Sequence, residues 1–209
     1  GTYTMLVYVI SIPGGIIADK WLGQKKSVLY GAIILVAGHS VLAIEEMWAF
    51  YTGLGLIILG VGMLKPNIST MVGGLYKKGD LRRDKGFTIF YIGINIGAFL
   101  ASIIVGYVGQ EIGWHYGFGL AGIGMIFGLI FYMMGQKHLK HVGNFLGKSE
   151  SEEERALAKK KLTKVEKDRV IVLLISFLII IAFWGAFEQA GGLLNIYADE
   201  KINRNIMGW

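Results

Sequence analysis

Residues 56–76 read LIILGVGMLKPNISTMVGGLY, an almost wholly apolar run with one lysine near its middle. The run begins near Met47 and contains no other formal charge before Lys77. About 20 apolar residues in a helix cross the roughly 30 Å hydrocarbon core of a bilayer. The run therefore predicts a membrane-spanning helix, in which Lys65 lies many residues from either end and needs a partner inside the membrane.

The rest of the chain has the composition of a membrane protein. Of its 209 residues, 54% are hydrophobic, 17% are charged and 31 are glycine, whereas about 25% of a typical soluble domain is charged. We therefore expect an all-α membrane protein. Six stretches are long enough to span: Thr2 to Ala18, Val28 to Ile44, Trp48 to Leu75, Phe87 to Gly109, Tyr116 to Gly135 and Val170 to Ala190.

The positive charges lie in alternate loops. Eighteen of the 21 basic residues fall on one side: Lys20, Lys25 and Lys26; Lys77, Lys78, Arg82, Arg83 and Lys85; and ten residues from Lys137 to Arg169. The positive-inside rule makes these loops cytoplasmic. The net charge of +6 is therefore explained by topology, and we predict contact with lipid and none with nucleic acid. The chain has no cysteine and no HExxH pair, so we predict no disulfide, metal site or cofactor.

A charged segment divides the chain into three parts. Residues 136–169 include KSESEEERALAKKKLTKVEKDR, which is too polar to span. We predict an N-terminal bundle over residues 1–135, a cytoplasmic linker over 136–169, and one span with an outer loop over 170–209. Because the chain opens inside an apolar segment, we expect it to be a piece of a longer protein.

Two charged residues at membrane depth are the strongest functional candidates. Lys65 lies in the third span, and Glu188 lies near the outer end of the last. Such charges face a partner or a watery cavity, so each either binds a ligand or forms an ion pair that orients helices. Pro66 removes a backbone donor, and we expect it to kink the helix and turn Lys65 towards a cavity.

Polar and aromatic residues complete the predicted site. Asn95 follows Tyr91 by four residues and shares its helix face, where it either contacts a ligand or bonds to another helix. Trp184 and Glu188 have the same spacing, which suits a protonated amine through charge and the ring face. Tyr8 adds a hydroxyl in the first span. A cation, an anion and aromatic residues between them match a zwitterion.

Four motifs resemble a known transporter family. GGIIADKWLGQKKS, residues 14–27, resembles the loop signature between helices 2 and 3 of the major facilitator superfamily. FTIFYIGINIGAF, residues 87–99, is more specific and resembles the signature of the proton-dependent oligopeptide transporter family. GMLKPNIS and FWGAFEQAGG resemble its fourth and seventh helices. The resemblance implies part of the major facilitator fold, helices 2 to 7.

The resemblance also implies roles for individual residues. The family's KPN lysine, matched by Lys65, contacts the carboxylate of the peptide. The residues that match Asn95 and Glu188 lie around the peptide amine, while Tyr8 and Trp184 match pocket residues. The implied function is proton-coupled import of di- and tripeptides by alternating access, in the cell membrane, which is the inner membrane in a bacterium. We hypothesise that Lys65 and Glu188 take part in proton coupling.

This sequence departs from the family in several places. The helix 1 motif with paired glutamates and an arginine is absent, as are helices 8 onward, and residues 136–169 leave no room for the two extra helices of many bacterial members. The alternatives are a same-family transporter of nitrate or another anion, against which the carboxylate of Glu188 argues, and a non-transporting sensor. An enzyme would need catalytic His, Cys or paired carboxylates at membrane depth, so we predict none.

Overall fold

The computed structural model describes residues 2–77, 79–139, 141–144 and 163–201. Within those residues, six helical segments are long and apolar enough to cross a membrane, and each coincides with a predicted span. The prediction of an all-α membrane protein is therefore confirmed. The helices are α1 (Thr2–Val9), α2 (Ser11–Ile17), α3 (Gln24–Leu42), α4 (Met47–Gly74), α5 (Arg82–Glu111), α6 (Trp114–Gly135), α7 (Lys164–Phe187) and α8 (Leu193–Lys201).

The first span is interrupted near a proline that the sequence analysis did not use. α1 ends at Val9 and α2 begins two residues later. Pro13 has no N–H, so the carbonyl of Val9, four positions earlier, loses its helical partner. The span ends in a π-helical turn over Ala18–Leu22, after which Gly23 takes a φ of 77°. L residues rarely adopt that φ, and glycine therefore permits the turn into α3.

The pair of α3 and α4 forms the centre of the first of two compact units, Gly1–Ser149. A Cβ added to Gly31 would lie 2.8 Å from the carbonyl oxygen of Gly60, and one added to Gly38 would lie 3.2 Å from that of Gly53. Both glycines of each helix are seven residues apart and so lie on one face. The two backbones therefore pack closely and run antiparallel. α1 and α2 pack on α4, α6 packs on α3, and α5 packs mainly on α6.

α4 continues through Pro66 to Gly74 without a break, in contrast to the first span. Two hydroxyl groups donate hydrogen bonds to backbone carbonyls next to the proline. Ser69 Oγ donates to Lys65 O at 3.2 Å, and Thr70 Oγ1 donates to Pro66 O at 2.9 Å. Neither bond replaces the one that Pro66 removes, because the carbonyl that loses its N–H partner is Gly62 O, four residues before the proline. The kink expected from Pro66 stays a prediction.

The chain after α6 folds back onto the first unit. Val142 is 4% exposed, and it packs against two buried side chains, Val28 of α3 and Met71 of α4. The backbone N–H of Lys25 donates to Gly143 O at 2.8 Å, and its Nζ donates to Asn144 Oδ1 at 3.0 Å. Residues 141–144 are therefore part of the packed unit.

The predicted linker of residues 136–169 lies only partly in the described chain. A 3-10 turn covers Gln136–His138, while residue 140 and residues 145–162 lie outside the description, as do residue 78 and the last eight residues of the predicted outer loop. The chain divides into two compact units, Gly1–Ser149 and Glu150–Trp209. The predicted boundaries of the bundle and linker stay a prediction.

The second unit begins with a capping box. Thr163 Oγ1 accepts from the N–H of Glu166 at 3.3 Å, and the Glu166 carboxylate accepts from the N–H of Thr163 at 2.7 Å. These bonds satisfy backbone donors that the first turn of a helix leaves free. α7 therefore starts at Lys164, six residues before the predicted apolar span.

Candidate functional site

α4 places Lys65 against an aromatic ring of the first span. Its Nζ lies 4.5 Å from the centroid of the Tyr8 ring, within the range of a cation–π interaction. The structure thus joins two of the predicted site residues, which are far apart in the sequence. Tyr8 is 60% exposed and Lys65 is also exposed in this chain, so the ring and the ammonium remain accessible from one side.

Lys65 has no carboxylate partner in the part of the chain that the structure describes. The ion pairs there join Arg82 to Asp80 at 2.8 Å and His115 to Glu45. The ring of Tyr8 stabilises a positive charge through its quadrupole but leaves the ammonium N–H donors free to bind an anion. This part of the site can therefore accept a carboxylate.

Asn67 belongs to the same stretch of α4 and was missed by the sequence analysis. It is 3% exposed, and its amide Nδ2 donates to Met63 O at 2.7 Å and to Gly14 O of α2 at 3.4 Å. The sequence carries the same signal for Asn67 as for Asn95, since each is a polar amide inside an apolar span. Asn67 connects α4 to α2.

Asn95 lies on α5 and is exposed. Its Nδ2 donates to Tyr91 O at 2.8 Å, one turn earlier in the same helix. This bond orients the amide and leaves its oxygen, an acceptor, available on the exposed face of the helix. The role predicted for Asn95 in binding an amine stays a prediction.

Trp184 and Glu188 lie one helical turn apart at the end of α7. Glu188 opens a 3-10 turn that ends at Gly191, and its backbone N–H donates to Trp184 O. The indole contacts Phe183 and Phe187 edge-on, at centroid distances of 5.7 and 5.3 Å, and is 51% exposed. An exposed carboxylate beside an aromatic cluster is an environment that suits a protonated amine.

No group of three His, Cys, Asp or Glu side chains among the described residues has the arrangement of a metal site. In the first unit, the Lys65 ammonium of α4 lies over the Tyr8 ring of α1, and α5 carries the amide acceptor of Asn95. In the second unit, α7 carries the indole of Trp184 and ends at the carboxylate of Glu188.

Comparisons with known proteins identify the family. A model of the POT family matches residues 25–149. The uncharacterized transporter YclF of Bacillus subtilis strain 168 is 36% identical over 99% of this chain and 52% of its own length. A di-/tripeptide transporter of Lactococcus lactis subsp. cremoris is 46% identical over 85% of this chain and 35% of its own length. The chain thus spans about half of the first relative and about a third of the second.

Solved structures give the same result. A mutant of the peptide transporter POT in complex with alafosfalin has a TM-score of 0.80 and 34% identity, covering 99% of this chain and 52% of its own. A POT family transporter in complex with a thioalcohol-conjugated peptide has a TM-score of 0.66 and 33% identity. The match covers 90% of this chain and 37% of that transporter. The fold is therefore part of the major facilitator fold of these transporters, as predicted.

The family model includes Lys65 and Asn95, while Tyr8, Trp184 and Glu188 lie outside its range. The relatives and structures extend the similarity over nearly the whole chain. Because the family model alone covers more than half of the sequence, this chain is an integral membrane protein that belongs to the POT family, whose members are transporters and not enzymes.

Proposed function

We propose that the complete protein is a proton-coupled symporter that imports di- and tripeptides by alternating access. It acts in the cell membrane, which is the inner membrane if the organism is bacterial. The observation that carries the proposal is the ammonium of Lys65, which lies over the Tyr8 ring without an ion pair among the described residues. A charge at the bilayer centre costs about 2.5–3.5 kcal/mol on insertion scales, and a bound carboxylate offsets that cost.

In the same proposal, the amino group of the peptide binds at the end of α7. The carboxylate of Glu188 and the ring of Trp184 provide charge and a ring face for the peptide amine. Asn95 adds an amide oxygen that can accept from the same amine. The names of the relatives, di-/tripeptide transporters, support this class of substrate.

Proton coupling arises because two carboxylates compete for the ammonium of Lys65. In this proposal Lys65 alternates between a carboxylate of the protein and the carboxylate of the peptide. A proton that neutralises the protein carboxylate releases Lys65 for substrate. By the family resemblance, that carboxylate belongs to the helix 1 motif, and Glu188 changes its protonation during the same cycle.

The test uses the complete protein reconstituted in proteoliposomes. Lys65→Ala should abolish accumulation of alanyl-alanine driven by an inward proton gradient, because the carboxylate loses its partner. Hydrogen bonds to charged groups are worth about 1.5–3 kcal/mol, so the preference for alanyl-alanine over its C-terminal amide should fall by about 10- to 100-fold. Lys77→Ala removes a loop lysine of the same chain and should leave both properties unchanged. Normal accumulation by a folded Lys65→Ala protein would remove Lys65 from the mechanism.

Glu188→Gln tests the amine end in the same assay. It should weaken binding of alanyl-alanine but not of N-acetyl-alanyl-alanine, whereas Glu46→Gln in the outer loop should affect neither. An equal loss for both peptides would mean a structural role for Glu188.

Uptake of nitrate in place of peptide would establish the anion transporter, and peptide binding without any uptake would establish the sensor.

A further inference from the structure

Asn67 is a buried polar residue to which neither the family resemblance nor the proposed function gives a role. It follows Lys65 by two residues, and its side chain faces the interior of the first unit. Its amide donates to one carbonyl of its own helix, Met63 O, and to one of α2, Gly14 O. Buried amides are retained where their hydrogen bonds are satisfied, so the residue links the two helices at a defined position.

The two helices touch backbone to backbone at the same point. A Cβ added to Gly14 would lie 2.0 Å from Gly62 O, and one added to Gly62 would lie 2.5 Å from Ile10 Cγ2 and 2.8 Å from Ile10 O. Gly62 is four residues before Pro66, so its carbonyl has no helical N–H partner. The backbone of α2 covers this carbonyl. The crossing therefore has almost no freedom to slide.

Tyr8 is carried by the same segment of chain. It lies six residues before Gly14, at the end of α1, and its ring receives the ammonium of Lys65. The contacts of Gly14 with Gly62 and Asn67 fix one point of the segment against α4, and Tyr8 over Lys65 is a second point. The register at the first point determines the separation at the second.

The geometry points to Asn67 as a positioning residue for recognition of the peptide carboxylate. By holding Gly14 O, it keeps the Tyr8 ring beneath the Lys65 ammonium, so that the ammonium faces the bound peptide in one orientation. The inference rests on the proposed function, in which Lys65 binds the carboxylate. Asn67 does not touch the peptide, and it acts through Tyr8 and Lys65.

The experiment compares recognition of the two ends of a peptide in the complete, reconstituted protein. Asn67→Leu keeps a similar shape but removes both donors. It should reduce the preference for alanyl-alanine over its C-terminal amide by roughly three- to tenfold, the range that interhelical hydrogen bonds in membranes carry. The preference over N-acetyl-alanyl-alanine should stay unchanged. Asn195→Leu, at an exposed asparagine of α8, is the control and should alter neither preference.

A pair of neighbouring glycines gives a second test that leaves Asn67 intact. Gly14→Ala forces α2 away from Gly62 O, while Gly15→Ala adds a Cβ with nothing within 4 Å. Gly14→Ala should show the same selective loss of carboxylate recognition, and Gly15→Ala should not. This pair provides the answer if Asn67→Leu does not yield folded protein.

The outcomes separate the inference from the proposal on which it rests. If Lys65→Ala abolishes the carboxylate preference while Asn67→Leu and Gly14→Ala keep it, the positioning role is wrong and the proposed function stands. Equal loss of both preferences would show a general structural defect and would also overturn the role. If Lys65→Ala itself leaves the carboxylate preference unchanged, the proposed function fails and the inference fails with it.

Discussion

An ammonium group at membrane depth is stabilised in this chain by an aromatic ring. Lys65 lies over Tyr8, and the contact joins α4 to α1. The family resemblance named both residues separately, but it did not predict their contact. Spacing within one helix shows which residues share a face, whereas contacts between helices depend on packing that the spacing does not reveal. The partner of Asn67 was unpredictable for the same reason, because Gly14 lies in another helix.

Tyr8 can be tested by separating the ring from the hydroxyl. Tyr8→Phe keeps the ring, so affinity for alanyl-alanine should change by less than about threefold. Tyr8→Leu removes a cation–π interaction worth up to about 2 kcal/mol, and affinity should fall by as much as roughly 30-fold. Calorimetric titration of the complete protein measures both. A large loss with Tyr8→Phe would assign the role to the hydroxyl instead.

Individual helices extend further than their apolar cores predict. α3 begins at Gln24 rather than Val28, α5 at Arg82 rather than Phe87, and α7 at Lys164 rather than Val170. Hydropathy marks only the part of a helix that suits the bilayer, and the helical hydrogen bonds continue into charged turns outside it. The number and centres of the spans were therefore predictable from the sequence, while their ends were not.

Two local features were also beyond the sequence analysis. The break after Val9 follows from Pro13. It was not predicted because Pro13 lies within an apolar run that reads as one continuous span. The docking of Val142 was hidden because the residue lies in a basic stretch that had the composition of a linker. A weak signal was present, since Leu139 precedes Val142 by three residues and packs against the same cluster.

The close contact between α3 and α4 predicts unequal responses to alanine. A Cβ at Gly60 would lie 2.7 Å from Leu35 Cγ and 2.9 Å from Gly31 O, whereas one at Gly55 has nothing within 4 Å. Gly60→Ala should destabilise the protein by about 1–3 kcal/mol through overpacking. Gly55→Ala should be neutral or stabilise by up to about 1 kcal/mol, since glycine weakens a helix.

Thermal unfolding of the detergent-solubilised protein measures this difference. The midpoint should fall by several degrees for Gly60→Ala only. Similar midpoints for the two variants would mean that the helices separate at little cost and that the contact is not rigid.

The whole molecule is described as two units with an uneven distribution of buried surface. No residue of α7 is buried, and in α5 only Gly109 is. Exposed apolar side chains along both helices suit contact with lipid or with further helices. The chain covers 52% of the length of YclF, so the complete relatives contain other segments of protein.

The charge distribution predicts the orientation of the molecule. Cysteines introduced singly at Lys77 and Glu111 should be labelled from opposite sides by an impermeant thiol reagent, because basic loops are retained in the cytoplasm. These 209 residues contain no cysteine, and any cysteine elsewhere in the complete protein is replaced by serine before labelling. In intact cells only the cysteine at position 111 should react, and permeabilisation should expose the one at position 77. Labelling of both from the same side would contradict the topology.

The position of Lys65 within α4 has a consequence for how the protein is inserted into the membrane. The helix has 28 residues, about 42 Å, and Lys65 lies roughly 14 Å from its end, near the middle of a 30 Å core. Leucine, isoleucine, valine and phenylalanine each favour insertion by about 0.3–0.6 kcal/mol, and ten of them in α4 offset the cost of one lysine. Synthesis proceeds from the N-terminus. Tyr8 therefore leaves the ribosome 57 residues before Lys65, and the span that carries the ring is available before the lysine needs it.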